Sequence, residues 1–248
     1  VTAGLPAIIV KFFRKIPVIL NFAENEAWKR ATQLQFTSQS PENFLKKPKS
    51  SSKIRFIIFL QKFVSNHASQ ITVSSDASAK LLSSVYHVPS THIKINYNPP
   101  ENQQILPFKT NPVQHQIIAI GRLVEWAHIP EIIYTVKNKK KKFPDIKLLI
   151  AGEGPQENKL KQIVTDLNLS KYIIFLGRIS KAENWYLRKI SHTHIHLYDS
   201  IHENFPDTII SSFSAGIPVI INNSIEADEI ISDEENGFTV NLKNEKEL

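Results

Sequence analysis

Three groups of residues in this chain have types and spacings that could do chemistry. The first lies in "HENFPDTIISSFSAGIPVI" (202–220), which reads as a polar loop, a short helix, a glycine stop and a strand. Glu203 stands ahead of that helix, and Ser211 follows eight residues on, inside it. The second group is glycine. Six of the seven, Gly121, Gly152, Gly154, Gly177, Gly216 and Gly237, fall in the second half of the chain. Gly121, Gly152 and Gly177 each end an apolar run, and at a strand's carboxyl end glycine lets backbone approach a phosphate or a base closely. Ordinary strand-to-helix turns need glycine at the same places, so each alone decides nothing. The third group is His192, His194 and His196, which a strand would set on one face with Asp199 nearby, at metal-ligand spacing. A central strand packs under helices on both faces, so buried or rim histidines are the expectation and no metal site is assigned. No Ser-His-Asp elbow, P-loop or GxGxxG appears.

The elements that must position these residues alternate. Apolar, β-branched runs read as buried parallel strands: "PVILNF" (17–22), "QITVSS" (70–75), "HIKINYN" (92–98), "QIIAIG" (116–121), "IKLLIAG" (146–152), "YIIFLG" (172–177), "HIHLYDS" (194–200) and "PVIINN" (218–223). Between them lie helix-period segments. "IPEIIYTVKNKKKKF" (129–143) has Pro at its start and lysines at its end, where the helix geometry and dipole favour each. "PQENKLKQIVTDLNL" (155–169) puts Leu160, Ile163, Val164 and Leu167 on one stripe, and "DASAKLLSSVYHV" (76–88) starts at an Asp cap. A helix is expected from near Pro206 to about Ala215, stopped by Gly216, with Pro218 opening the next strand. Repeated β-α-β alternation implies an α/β fold with open, doubly wound parallel sheets.

A Pro-, Asn- and Gln-rich stretch, "NPPENQQILPFKTNP" (98–112), breaks the alternation into two series. The expectation is two Rossmann-like lobes: residues 1–100, incomplete, a hinge at 101–112, and residues 113–248, whose final helices are missing. The start "VTAGLPAIIVKFF" has neither an initiator Met nor a charged-then-apolar signal order, so the chain reads as beginning in mid-protein.

Composition narrows the class. Hydrophobic content of 42% and charge of 21% are those of a globular protein, and no apolar run reaches the roughly 18 residues of a membrane span. With no Cys, disulfides and thiolate metal sites are excluded, which allows a cytoplasmic location. The net charge of +7 concentrates in "KKPKSSSK" (46–53) and "KNKKKK" (137–142). The second run is the solvated end of a helix without interleaved base-reading positions, so no nucleic-acid partner is expected. The first adjoins an apolar-basic helix, "KIRFIIFLQKFV" (53–64), which could touch anionic lipid head groups as a peripheral contact at the inner face of a membrane.

Order gives the motifs weight. "AIGRLVEW" (119–126), "LLIAGEGPQENKL" (148–160), "IIFLGRIS" (173–180), "HLYDSIHENFPDTIISSFSAGIPVI" (196–220) and "ADEIISDEENGFTV" (227–240) resemble the C-terminal half of retaining glycosyltransferases of family 4. The resemblance is strong over residues 115–248. Over 1–100, "KIPVILNF", "ASQITVSSDASAKLL" and "IKINYNPP" look like the last part of the family's acceptor domain. It implies the two-Rossmann GT-B fold, with a donor sugar nucleotide held by the C-terminal domain. It also implies transfer of a hexose-type sugar from a nucleoside diphosphate to a glycan or lipid-linked acceptor, with retention. No cofactor is implied, because the nucleotide sugar is the substrate.

The resemblance assigns roles by position. Glu203 would contact the donor sugar, and Arg122 of "GRL" would face the diphosphate. Gly121, Gly154 and Gly177 would line the donor site. Asn204, Phe205 and Pro206 replace the usual "GFP", and their turn, with the helix N-terminus behind it, would present a positive end to phosphate. Ser211 matches a second carboxylate that holds the ribose hydroxyls, and Glu229 matches the distal Glu.

Several positions depart from the pattern. Ala127 and His128 stand where "GRLxxxKG" has Lys and Gly, removing a cation for the charge that develops on the leaving diphosphate. Ser211 makes one neutral hydrogen bond where a carboxylate makes two charge-assisted ones, a loss of about ten- to a hundredfold in affinity. Ile225-Glu226 replaces Gly-Gly, "LNFAENEAW" lacks the strand His, and "NYNPP" replaces "NGV". The rival reading is therefore a catalytically impaired, glycosyltransferase-like binding or scaffold domain.

Overall fold

A computed structural model describes residues 4–23, 25–34, 36–37, 41–46, 51–97, 112–198, 207–223 and 227–242. It divides into two compact units, one holding a three-stranded sheet and the other a six-stranded one. Both are α/β with parallel strands.

The first unit runs α1 (Gly4–Arg14), β1 (Ile19–Phe22), α2 (Glu26–Gln33), α3 (Pro41–Lys46), α4 (Ser52–His67), β2 (Gln70–Val73), α5 (Asp76–Ser84) and β3 (Ile93–Ile95). The strands lie in the order β1-β2-β3, with Ile19 opposite Gln70 and Ile71 opposite Ile93. Its core gathers Phe22, Trp28, Phe44, Ile54, Ile71, Leu82 and Tyr86. Two buried amides satisfy backbone that the strand-to-helix turn would otherwise strand. Asn25 Oδ1 accepts from the Trp28 N–H at 2.9 Å and Gln61 Oε1 from the Ala27 N–H at 3.0 Å. The helix over 76–84 corrects the expected cap: Ser75, not Asp76, is the N-cap, its side chain accepting from the Ser78 N–H. Asp76 sits one residue inside, paired with Lys80 at 2.6 Å.

The second unit runs β4 (Gln116–Ile120), α6 (Ile129–Lys139), β5 (Lys147–Ala151), α7 (Glu157–Asp166), β6 (Ile173–Gly177), α8 (Lys181–Ile190), β7 (Thr193–His196), α9 (Asp207–Ala215), β8 (Val219–Asn222), α10 (Ala227–Ile230) and β9 (Gly237–Val240). Strand order is β6-β5-β4-β7-β8-β9. In sequence order this is 3-2-1-4-5-6, the doubly wound Rossmann arrangement, whose direction reverses between β4 and β7. The core under β4 and β5 is aliphatic: Leu148, Ile150, Ile132, Ile133, Val136, Leu160 and Val164. The expected stripe on α7 holds, with Leu160 and Val164 buried and Ile163 and Leu167 packed against the same cluster. α6 ends four residues before Phe143, the end of the expected segment, and Lys140, Lys141 and Lys142 form a turn. β9 is a strand that polar flanks and a four-residue length conceal in the sequence.

Candidate functional site

Three parallel strands of the second unit deliver their carboxyl ends to one edge, and there the glycines meet. The Gly121 N–H donates to Ala151 O at 3.0 Å, the Gly152 N–H to Gly177 O at 2.8 Å, and the Leu123 N–H to Glu153 O at 3.0 Å. These bonds tie the turns after β4, β5 and β6 together. The approach is closest at Gly152, where an added Cβ would lie 1.8 Å from Gly121 O at a φ of +142°. No side chain fits in that space. Gly154 is also enclosed, against Leu123 backbone at 2.2 Å, while Gly177 faces open space. The structure thus brings Gly121, Gly154 and Gly177 together, with Gly152 the tightest member of the group.

Arg122 leaves this cluster with an exposed side chain. Its carbonyl accepts a hydrogen bond from the Tyr198 hydroxyl at 3.0 Å. Tyr198 follows β7 and Arg122 follows β4, so the bond bridges the two strands between which the sheet reverses direction. Such reversal points are where ligands of open α/β sheets bind. The Tyr198 ring stacks on His196 with centroids 4.5 Å apart, and its hydroxyl lies 2.7 Å from where a Gly121 Cβ would be. Sequence reading missed Tyr198, because a lone Tyr at a strand end carries no spacing signal.

After Arg122 the chain makes a 3-10 turn, Glu125–Ala127, and His128 caps α6 in the left-handed conformation, φ +46°. A position built for left-handed backbone accounts physically for glycine in the "GRLxxxKG" pattern. His tolerates it better than β-branched residues do. His128 Nδ1 lies 3.3 Å from Glu131 Oε1, and that hydrogen bond holds the Glu131 carboxyl below its ordinary range. Ala127, in the Lys position, is 1% exposed and belongs to the aliphatic core.

α9 carries Ser211, as expected, over Asp207–Ala215. Gly216, φ +80°, follows it, with Gly216 N–H donating to Phe213 O and Ile217 N–H to Ser212 O, the paired closure of a Schellman stop. The Ser211 hydroxyl donates to Asp207 O at 2.8 Å, one turn back on its own helix. Glu229 lies on α10, half-buried, after β8. Glu203, Asn204, Phe205, Pro206 and Asp199 lie outside the described residues, as do 101–111 of the expected hinge.

Beneath α9 runs a polar network. Arg188, 1% exposed on α8, donates from Nε to Ser212 Oγ at 3.0 Å and from an η nitrogen to Thr208 O at 3.1 Å and Thr208 Oγ1 at 2.7 Å. Ser212 Oγ lies 2.7 Å from His194 Nδ1. Burial first, then the neighbouring His196 and Arg188, push the His194 imidazole well below its ordinary pKa, so it is neutral. With the proton on Nδ1, His194 donates to Ser212, Ser212 donates to Thr208 O, and the partnerless buried Nε2 is only a lone pair. The histidines of β7 are therefore structural: His194 and His196 are buried, with rings 5.6 Å apart. Among the described residues, no group of three or more His, Cys, Asp or Glu could hold a metal ion.

The family model described as glycosyl transferases group 1 matches residues 101–248, more than half of the chain. The chain belongs to that family. An uncharacterized glycosyltransferase of Methanocaldococcus jannaschii is 26% identical over 215 residues, 83% of this chain and 51% of that protein. The alpha-monoglucosyldiacylglycerol synthase of Acholeplasma laidlawii is 26% identical over 129 residues, 52% of this chain and 32% of that one. This group 1 chain thus spans about half the length, or less, of these curated relatives. Among solved structures, Anabaena HepE in complex with UDP superposes with a TM-score of 0.73 at 18% identity, over 99% of this chain and 64% of that one. That likeness is one of fold: two Rossmann-like parallel α/β lobes of the GT-B kind.

Proposed function

We propose that this chain is the donor-binding lobe, with part of the acceptor lobe, of a retaining glycosyltransferase. It would move a hexose-type sugar from a nucleoside diphosphate to a glycan or lipid-linked acceptor. In this reading residues 1–100 belong to the acceptor side, 101–112 form the hinge and 113–248 bind the donor. The observation that carries it is the Gly121–Arg122 turn, laced to Gly152–Gly154 and Gly177 and opening an exposed guanidinium at the sheet's reversal point. Backbone that close, beside a cation, suits a diphosphate. Glu203 would hold sugar hydroxyls, the 204–206 turn the phosphate, and Ser211 and Glu229 the nucleoside side of the donor. The reaction needs little protein acid–base chemistry if the leaving phosphate itself assists the acceptor hydroxyl.

A second reading has its own observations. Ala127 is in the core rather than at the phosphate, and the Ser211 hydroxyl is spent on its own helix. Both favour a donor site weakened toward binding or scaffolding. Calorimetric titration with UDP, GDP and ADP decides between them. The catalytic reading expects saturable binding of one nucleotide, weakened about tenfold or more by Arg122→Ala and tightened about ten- to a hundredfold by Ser211→Glu. No heat with any nucleotide, and none after Ser211→Glu, leaves the scaffold reading.

A further inference from the structure

Tyr198 is held at three points. Its backbone N–H donates to Asn222 Oδ1 at 2.8 Å, just past the last β7–β8 pair, His196 with Ile221. Its ring lies on the buried His196 imidazole, with planes 12° apart and centroids 4.5 Å apart. The hydroxyl then donates to Arg122 O at 3.0 Å. A tyrosine has few rotatable bonds behind its rigid ring, so a fixed backbone and a stacked face fix where the hydroxyl sits. That place excludes a neighbour. A Cβ on Gly121 would lie 2.7 Å from the hydroxyl oxygen and 3.4 Å from Cζ. Glycine at 121 and tyrosine at 198 are therefore matched to each other, across the reversal point of the sheet.

What the hydroxyl pins is one peptide plane. The Arg122 carbonyl also accepts from the Val124 N–H at 3.0 Å, and the N–H of the same peptide, on Leu123, donates to Glu153 O at 3.0 Å. Glu153 lies in the turn after β5 and Tyr198 lies after β7, the two neighbours of β4. The plane is thus restrained from both sides of its own strand. It begins at the Arg122 Cα, so its tilt sets the direction in which the exposed side chain leaves the backbone. Without the hydroxyl, the Val124 N–H still satisfies the carbonyl, and folding loses little. Orientation loses more, because the restraint on this plane from the β7 side is gone. Supporting bonds of this kind hold a binding side chain in its productive geometry.

We propose that Tyr198 is a positioning residue for Arg122, its hydroxyl fixing the backbone from which the guanidinium reaches the donor diphosphate. The proposal rests on the nucleotide-sugar reading. It is tested by titrating the chain, Tyr198→Phe, Arg122→Ala and the double variant with UDP, GDP and ADP. Tyr198→Phe should weaken binding about fivefold, the worth of one hydrogen bond, with the melting temperature close to that of the parent. In the Arg122→Ala background the same change should have no further effect, because the cation that it orients is gone. Unchanged affinity, an equal fivefold loss in both backgrounds, or a loss that tracks a lowered melting temperature overturns the proposal. A parent chain that binds none of the three nucleotides ends the nucleotide-sugar reading instead, and amide hydrogen exchange then judges Tyr198 by itself. Faster exchange of the Leu123 N–H in Tyr198→Phe shows that the hydroxyl fixes the plane after Arg122; unchanged exchange overturns that as well.

Discussion

The two units solve the same problem, covering a parallel sheet, in opposite styles. The second places its aliphatic side chains inward and buries a polar network of Arg188, Ser212, Thr208 and His194 besides. The first keeps its core apolar, with a few satisfied amides, and turns aromatic side chains outward. Among the described residues Phe12, Phe13, Phe36, Phe56, Phe59 and Tyr97 are exposed in the first unit, against Tyr134, Tyr186 and Phe238 in the second, each of these three less than half exposed. The contrast separates what holds each unit together. In the second it is backbone closeness and interior polar geometry. In the first it is the apolar core.

Five variants sharpen that contrast, in falling order of effect. Gly152→Ala should cost the second unit about 4 kcal/mol or more, because a methyl group meets Gly121 backbone that cannot yield. Amide hydrogen exchange should then lose protection across β4–β9 and keep it across β1–β3; uniform loss would mean the units are not separable. Arg188→Leu should cost about 3 kcal/mol in urea unfolding, since several charge-assisted bonds disappear and Ser212 and Thr208 each lose a charged donor. A change under about 1 kcal/mol would show that the network is dispensable.

His194 gives the pH dependence. Its folded pKa is depressed from the ordinary 6.5, so below that value the unfolded chain takes up a proton that the native state refuses. Its contribution is neutral at high pH, and stability falls as pH drops below 6.5, by up to about 1.4 kcal/mol per pH unit. Urea midpoints compared at pH 7.5 and about pH 5.5 should diverge less in His194→Leu than in the parent; equal divergence removes His194 from the account. In the first unit, Phe56→Ser with Phe59→Ser should move stability by only about 0.5 kcal/mol, since neither ring packs inside. Of similar size, His128→Gly should relieve a left-handed residue and gain about 0.5 kcal/mol, while the Glu131 carboxyl, titrated by NMR, rises toward its ordinary value.

Much of this was legible in the sequence, for physical reasons. Buried parallel strands are continuous β-branched runs, so "QIIAI" and "KLLIA" announce themselves, and glycines after them mark the carboxyl edge. β9 did not, because "GFTV" is short and shares its residues with turn chemistry. Ser75 was passed over for Asp76 because both are good caps, and only the fold decides which carries non-helical backbone. Tyr198 and Arg188 were invisible for another reason. Their importance comes from partners 76 and 24 residues away, Arg122 and Ser212, which no local pattern connects. The spacing of His192, His194 and His196 was legible as one face, but its meaning, a neutral imidazole locked to a serine, required seeing what packs above it.

The strand order of the second unit also governs how the chain is made. β4 emerges first, yet it is central, and Ile117 takes partners both at Leu148 in β5 and at Thr193 in β7. No hairpin shortens either closure, because every pairing is parallel and needs a crossover. Between synthesis of β5 and β7, one edge of β4 therefore stays open, with Ile117 and Ile118 along it. An unpaired apolar edge is a template for other nascent chains. The ribosome must release more than seventy residues before the sheet can close around its own first strand, which makes slow or interrupted translation of this stretch a hazard for the molecule.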